Sequence, residues 1–267
     1  MDAIGVWRFH SDIFPRTVST LVKWCPPEIP IYIMDQTAPY MLKQREQSYE
    51  VAAQYPDRVE VCECFVSTRR DDGPRSIIKF LELHPEINRL LKIDDDCIVA
   101  QDIYTGLKEA YEHRDTTLFA AALSTVQIWG YEILIARLGY RIEDIHPDLA
   151  NPEQVYDLFK REPELARMIW AMCTPPNSKL VCLKKPPRFV ELPEFKREYG
   201  MFHYFAHRDD ILRVGGDWDE RHWTALWTRT RRPRMIDTWS LVYHYCWCPW
   251  RRRAQQWILP IIEETIW

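Results

Sequence analysis

No stretch of the 267-residue chain approaches the ~18 uninterrupted apolar residues that a membrane-spanning helix requires. The opening Met1-Asp2-Ala3-Ile4-Gly5-Val6 lacks the basic segment and long apolar run of a secretory signal, so a cytoplasmic location is expected. No sign of charge dominates. Thirty-five Lys and Arg face 39 Asp and Glu, a net charge of −4, which argues against a dedicated binder of nucleic acid or anionic membrane. Internal repeats and low-complexity tracts are absent. The eight cysteines lack the spacing of a structural zinc site: Cys62/Cys64 and Cys246/Cys248 each resemble half of one, with no second pair nearby. They read as reduced thiols that pack the core. What is present is an ordinary apolar content, enough chain for one large domain with an insertion, and twelve tryptophans. Aromatic faces stack on sugars and bases, but most tryptophans fill core.

The densest chemistry lies in Leu90-Leu91-Lys92-Ile93-Asp94-Asp95-Asp96-Cys97-Ile98-Val99, where two apolar runs flank three carboxylates. A buried strand ending in clustered like charges needs a positive partner, or a carboxyl takes up a proton. A hard divalent cation, Mn²⁺ or Mg²⁺, is the simplest partner, because both prefer carboxylate oxygens and leave positions open to phosphates. Strand alternation would point Asp94 and Asp96 together and Asp95 away. The plainer alternative is a solvated acidic turn.

In chain order, Ala3–Phe9 reads as a strand, followed by a helix capped by Ser11 or Asp12 with Pro15 in its first turn. Strands are expected at Ile29–Met34 and Val59–Phe65, and helices at Tyr40–Tyr55 and Arg75–Leu83; Leu90–Ile93 then delivers the triplet. Strand–helix repeated three times predicts an α/β fold, a mostly parallel central sheet with helices on both faces. Ligands of such sheets sit at the carboxyl ends of strands, where Asp35, the loop after Phe65 and the triplet all fall. A helix at Asp102–His113 and a strand at Leu118–Leu123 follow, with a further helix over Gln127–Gly139. Residues 141–197 change texture, rich in proline and mixed charge, and read as a helical or irregular insertion. Order returns with a strand and short helix near Tyr204–Val214, the stop Gly215-Gly216, an acidic loop, and a late strand Ser240–Tyr245.

Together these residues resemble a GT-A (Rossmann-like) glycosyltransferase, closest in style to family 2, over most of the chain except the insertion. The resemblance implies one domain, with residues 1–100 as the nucleotide-binding half and 101–267 as the acceptor half. It implies that Asp35 contacts the base, that Gly73-Pro74-Arg75 matches the loop before the next helix, and that Asp94-Asp95-Asp96 is a DxD motif. Asp94, Asp95, Asp35 and Arg75 would then hold the nucleotide-sugar donor. Asp94 and Asp96 would bind Mn²⁺ or Mg²⁺, with His244 of Tyr243-His244 completing the metal site. The stretch Gly215-Gly216-Asp217-Trp218-Asp219-Glu220-Arg221-His222-Trp223 matches a later family segment. The helix that often carries a Glu-Asp pair reads Thr224-Ala225-Leu226-Trp227-Thr228 here, without an acid.

The expected activity is metal-dependent transfer of a sugar from a nucleoside diphosphate to an acceptor hydroxyl. The acceptor, whether glycan, lipid-linked, protein or nucleic acid, stays open. The metal would stabilise the leaving diphosphate, and Asp219 or Glu220 would take the acceptor proton in an inverting reaction. Each assignment has a plainer alternative: a capping or ion-paired loop acid for Asp219 and Glu220, a hydrogen-bonded core imidazole for His244, a solvated face for Arg69, Arg70, Arg75 and Arg229–Arg234. Two other functions compete with this one. A sugar-phosphate nucleotidyltransferase would carry a glycine-rich loop after the first strand, and Trp7-Arg8-Phe9-His10-Ser11 has no glycine. A nucleic-acid-binding module without transfer activity would use Arg229–Arg234, Arg251–Arg253 and interleaved tryptophans.

Overall fold

Apolar runs buried on both sides build the centre of the sheet. In a computed structural model of the chain, residues 1–9, 11–66, 73–114, 117–122, 141–147, 158, 161–165, 168, 189–191, 203–215, 234–245 and 259–260 are described. Strands β1 (Asp2–Arg8), β2 (Ile31–Asp35), β3 (Val59–Glu63) and β4 (Arg89–Asp94) pair in parallel in the order β3-β2-β1-β4. All five residues of β2 and the last five of β4 are buried, as expected for strands covered on both faces. Beyond β4 lies β8 (His203–His207), antiparallel to it, then β6 (Thr117–Ala122) and β9 (Arg234–His244), which pair in parallel. Two short strands, β5 (Cys97–Val99) and β7 (Phe189–Glu191), run antiparallel to β9. Strands β1–β4, β6 and β9 therefore point one way and β5, β7 and β8 the other. The sheet is mostly parallel, as its order in the sequence requires.

Helices cover both faces. Phe14, Val18 and Leu21 of α1 (Phe14–Trp24), Val51 of α2 (Leu42–Ala53) and Ile103 and Leu107 of α4 (Ile103–Arg114) pack with Ile4, Val6, Ile31, Ile33, Leu91 and Ile93 in one core. The opposite face receives α3 (Gly73–Leu83), whose Phe80 ring lies 5.3 Å from that of Tyr32. Alternation assigns Gly5, Trp7, Lys92 and Asp94 to this second face.

Local chemistry moved several boundaries. Helix α1 starts after Ile13, with Pro15 in its first turn and no side-chain cap, rather than at Ser11 or Asp12. The Ser11 main-chain N–H is instead drawn to Asp95 at 2.8 Å. At the other end of α1, Arg58 donates to the carbonyls of Val22, Cys25 and Pro26 at 2.6–2.8 Å. One guanidinium thus satisfies acceptors that the helix end leaves open. The triplet is not one straight strand: β4 ends at Asp94, the chain turns at Asp95-Asp96, and β5 departs to pair with β9. Within 141–197 the described residues include a one-turn helix, α5 (Ile142–Ile145), and β7, which rejoins the main sheet beside β9. Helix α6 (Arg208–Val214) stops at Gly215 with φ 78°, the positive φ that the double glycine allows. The helix expected over 127–139 lies outside the described residues. Among those described, no helix is long and apolar enough to cross a membrane.

Candidate active site at the carboxyl edge of the sheet

Because β1, β2, β4 and β9 share a direction, their last residues gather at one edge. Trp7 is the hub of that edge. Its indole Nε1 donates to Gln36 Oε1 at 2.7 Å and to Ser76 Oγ at 3.0 Å, joining the ends of β1 and β2 to the first turn of α3. Gly73 is required there, since a Cβ would stand 2.9 Å from the Trp7 ring. The Gln36 carbonyl faces both Trp7 and Ser76 Oγ, 2.8 Å away, which directs its amide nitrogen elsewhere.

That orientation leaves a cradle of polar atoms. Asp35 ends β2, and its Oδ1 accepts the Thr37 N–H at 2.7 Å. Asp35 Oδ2, Gln36 Nε2 and Thr37 Oγ1 are buried with no hydrogen-bond partner, on residues that are 1–3 % exposed. Buried polar groups are ordinarily paired, so three successive orphans make this edge a candidate place for a ligand. Gln36 and Thr37 were not among the expected site residues. Their only sequence signal is adjacency to Asp35.

The three acids have separate partners. Asp94 is ion-paired with Lys92, two residues earlier on the same side of β4, and both are buried. The Lys92 ammonium also lies 5.2 Å from the Trp7 ring and 5.9 Å from the Tyr204 ring. Burial and the nearby Asp94 charge push the Tyr204 phenol up, keeping it neutral. Asp95, expected among the donor-binding groups, faces the fold. Its Oδ2 accepts from Arg8 at 2.7 Å, from Phe9 N–H at 3.0 Å and from Ser11 N–H at 2.8 Å. Arg8 is 1 % exposed and its guanidinium sits 4.3 Å from the Phe14 ring. Asp95 thus ties the β1–α1 loop to the β4–β5 turn.

Asp96 meets β9. Its Oδ1 lies 3.2 Å from His244 Nε2, and its carbonyl accepts the Tyr245 N–H at 2.8 Å. The register that sets Cys97 opposite His244 makes this pairing. Asp96, Cys97 and His244 each offer a ligand atom within 4.8 Å of the others, and Asp94 is not in the group. Donors on neighbouring corners of an octahedron with bonds near 2.1 Å are about 3 Å apart, so Asp96 and His244 fit one hard cation. Cys97 fits it poorly. Burial, then the charges of Asp96 and Asp94, push its thiol well above the ordinary range, and a soft thiol is not the choice of Mn²⁺ or Mg²⁺. Arg75 is exposed in the first turn of α3. Asp219, Glu220, Arg69 and Arg70 lie outside the described residues, as do Arg251–Arg253 and most of the Arg229–Arg234 run.

No family model matches the sequence, and no curated protein does. Among solved structures, the crystal structure of GalNAc-T7 with UDP, GalNAc and Mn²⁺ matches 91% of this chain with a TM-score of 0.51. In fold, the chain is similar to GalNAc-T7. At 14% identity the likeness to GalNAc-T7 is one of fold, and the chain spans 43% of that protein's. A crystal structure of S. aureus TarS matches 46% of this chain and 22% of its own, at 13% identity and a TM-score of 0.35.

Proposed function

We propose that the chain is a metal-dependent glycosyltransferase that moves a sugar from a nucleoside diphosphate to an acceptor hydroxyl. The observation that carries this reading is the juxtaposition, on one sheet edge, of the Asp96–His244 pair and the orphaned cradle Asp35–Thr37. The fold shared with GalNAc-T7, a structure containing UDP and Mn²⁺, supports it. In this reading residues 1–100 hold the nucleotide and 101–267 receive the acceptor.

Asp96 and His244 would hold the cation, and the imidazole nitrogen favours Mn²⁺ over the more strictly oxygen-seeking Mg²⁺. When bound, it supplies positive charge where the leaving diphosphate develops negative charge. Asp35 Oδ2 accepts a base N–H, and Gln36 Nε2 donates to a base carbonyl, a combination that uracil and guanine offer. Asp94, with its charge balanced by Lys92, is a hydrogen-bond acceptor for the donor, and Arg75 a second donor-binding group. Asp95 acts one step removed, fixing the turn that presents Asp96. Asp219 or Glu220 takes the acceptor proton, a role worth about 10²–10⁴-fold in rate.

The test is calorimetric titration of UDP and GDP with Mn²⁺ and with EDTA, followed by a search for metal-dependent hydrolysis of the matching nucleotide sugars. The proposal expects tighter diphosphate binding with Mn²⁺ and loss of that gain in Asp96→Ala. Equal affinity with and without metal would remove its basis.

A further inference from the structure

Beside the cradle, where the Cys64 N–H donates to the Asp35 carbonyl at 2.8 Å, strand β3 forms one end of the sheet order. Cys62 lies within it and Cys64 just past its last residue, with exposed Glu63 between them. Alternation turns both thiols to the same side, and Cys64 Sγ donates to Cys62 Sγ at 3.4 Å. Both are free thiols. His84, just beyond α3, interacts with Cys62, while its Nδ1 lies 3.1 Å from Glu86 Oε1. An imidazole is thus bracketed by a carboxylate and a thiol that already receives another thiol's hydrogen. His84 is held beside the thiol by packing on the Tyr32 and Phe80 rings, at 4.7 and 4.8 Å.

We propose that Cys62 and Cys64 are a modification site, a dithiol that a hydroperoxide closes to a disulfide. Cys62 is the attacking sulfur. The hydrogen bond from Cys64 is the main cause holding its thiol below the ordinary range, with burial opposing and His84 assisting. Cys64 is shifted up, chiefly because it is the hydrogen donor of the pair. The Cys62 thiolate attacks the peroxide oxygen, the O–O bond breaks, and the alkoxide leaves as an alcohol after taking a proton. Cys62 is now a sulfenic acid. Cys64 gives up its proton, its sulfur attacks Cys62 Sγ, and the S–O bond breaks to release water. Two thiols lose two electrons, and one hydroperoxide is reduced to alcohol and water.

Closure must bring the sulfurs from 3.4 Å to about 2.05 Å. Residues two apart on a strand stand near the upper limit of separation for a disulfide, so the ring bends the chain after Glu63. That strain makes the bond readily reducible, the property of a reversible modification rather than a structural staple. Cys62 is 7 % exposed and Cys64 fully buried, so the test calls for a small oxidant such as hydrogen peroxide.

Cys25 and Cys97 are internal controls. Both are buried, with Cys25 pushed up to about 12 and Cys97 well above the ordinary range, in each case mainly by burial. The reduced full chain is treated with equimolar hydrogen peroxide, then unfolded in guanidinium so that every remaining thiol takes the cap, treated with N-ethylmaleimide, digested and weighed by mass spectrometry. The peptide carrying Cys62 and Cys64 should lose two hydrogens and escape the cap. Its reaction should be about tenfold or more faster than that of Cys25 or Cys97, as thiolate character dictates. Dithiothreitol should restore both thiols. Cys64→Ser should trap a dimedone-reactive sulfenic acid on Cys62, whereas Cys62→Ser should leave Cys64 inert. Capping of Cys62 and Cys64 as complete as that of Cys25 and Cys97 would overturn the proposal. So would a Cys64 that reacts first, and the unaltered chain decides the first point even if a variant fails to fold.

Discussion

Adjacent acids at the triplet carry opposite consequences. Asp95 is buried against Arg8 and two main-chain N–H groups, so removing it strands a guanidinium away from water. Breaking such a pair from one side costs about 3–5 kcal/mol, whereas Asp96 has no comparable tie to α1. Asp95→Ala should therefore lower the urea midpoint sharply and, by loosening the turn that presents Asp96, weaken Mn²⁺-dependent nucleotide binding only in part. Asp96→Ala should do the reverse, and matching phenotypes would mean the two acids share one role. Asp35 permits a subtler exchange. In Asp35→Asn the carbonyl can keep the Thr37 N–H while an NH₂ replaces the orphaned Oδ2, turning an acceptor into a donor. Nucleotide affinity should fall by about 1.5–3 kcal/mol, the range for hydrogen bonds to charged groups. Unchanged affinity by calorimetry would return Asp35 to a turn residue.

At the scale of elements, the join between α1, β2 and β3 depends on one side chain. Arg58 precedes β3 and spreads its guanidinium over the carbonyls of Val22, Cys25 and Pro26, with a longer contact to Ile29 at 3.4 Å. Its partial burial draws its pKa down, mainly through desolvation, but a guanidinium stays charged. Arg58→Ala should cost about 1.5–3 kcal/mol in chemical denaturation, since it leaves charge-assisted acceptors unmet. Arg58→Lys should recover only part, because an ammonium cannot reproduce the planar fork. Full recovery by lysine would show that charge at the helix end, not geometry, is what matters.

For the molecule as a whole, the binding proposed at the cradle and at the Asp96–His244 pair is also a statement about stability. A ligand that binds only the folded state at 100 times its Kd adds about 2.7 kcal/mol. Mn²⁺ and the matching nucleoside diphosphate should therefore raise the melting temperature together by more than either alone, and EDTA should remove the joint increment. The same scan on His244→Ala should show the nucleotide increment without the manganese one. A manganese increment that survives in this variant would move the metal elsewhere in the chain.

By itself the sequence determined the alternation of strand and helix, because period and punctuation are local: Ile31–Met34 is an apolar run closed by Asp35, and Pro85 lies just beyond the Leu83 end of α3. It also marked Asp35, Asp96 and His244 as candidates, with the residues that end predicted strands. What it could not show was which acid meets which partner. Strand alternation through Asp94-Asp95-Asp96 presumed one straight strand, but a turn there sends β5 to β9, and only that long-range register sets Cys97 opposite His244. Lys92 reads as an interruption in an apolar run, yet it is the counter-charge of Asp94. Arg8 reads as the end of a strand, yet it is the partner of Asp95, 87 residues away. Side-chain pairing across a sheet depends on register between distant segments, and register is fixed by burial of the whole face rather than by any local stretch.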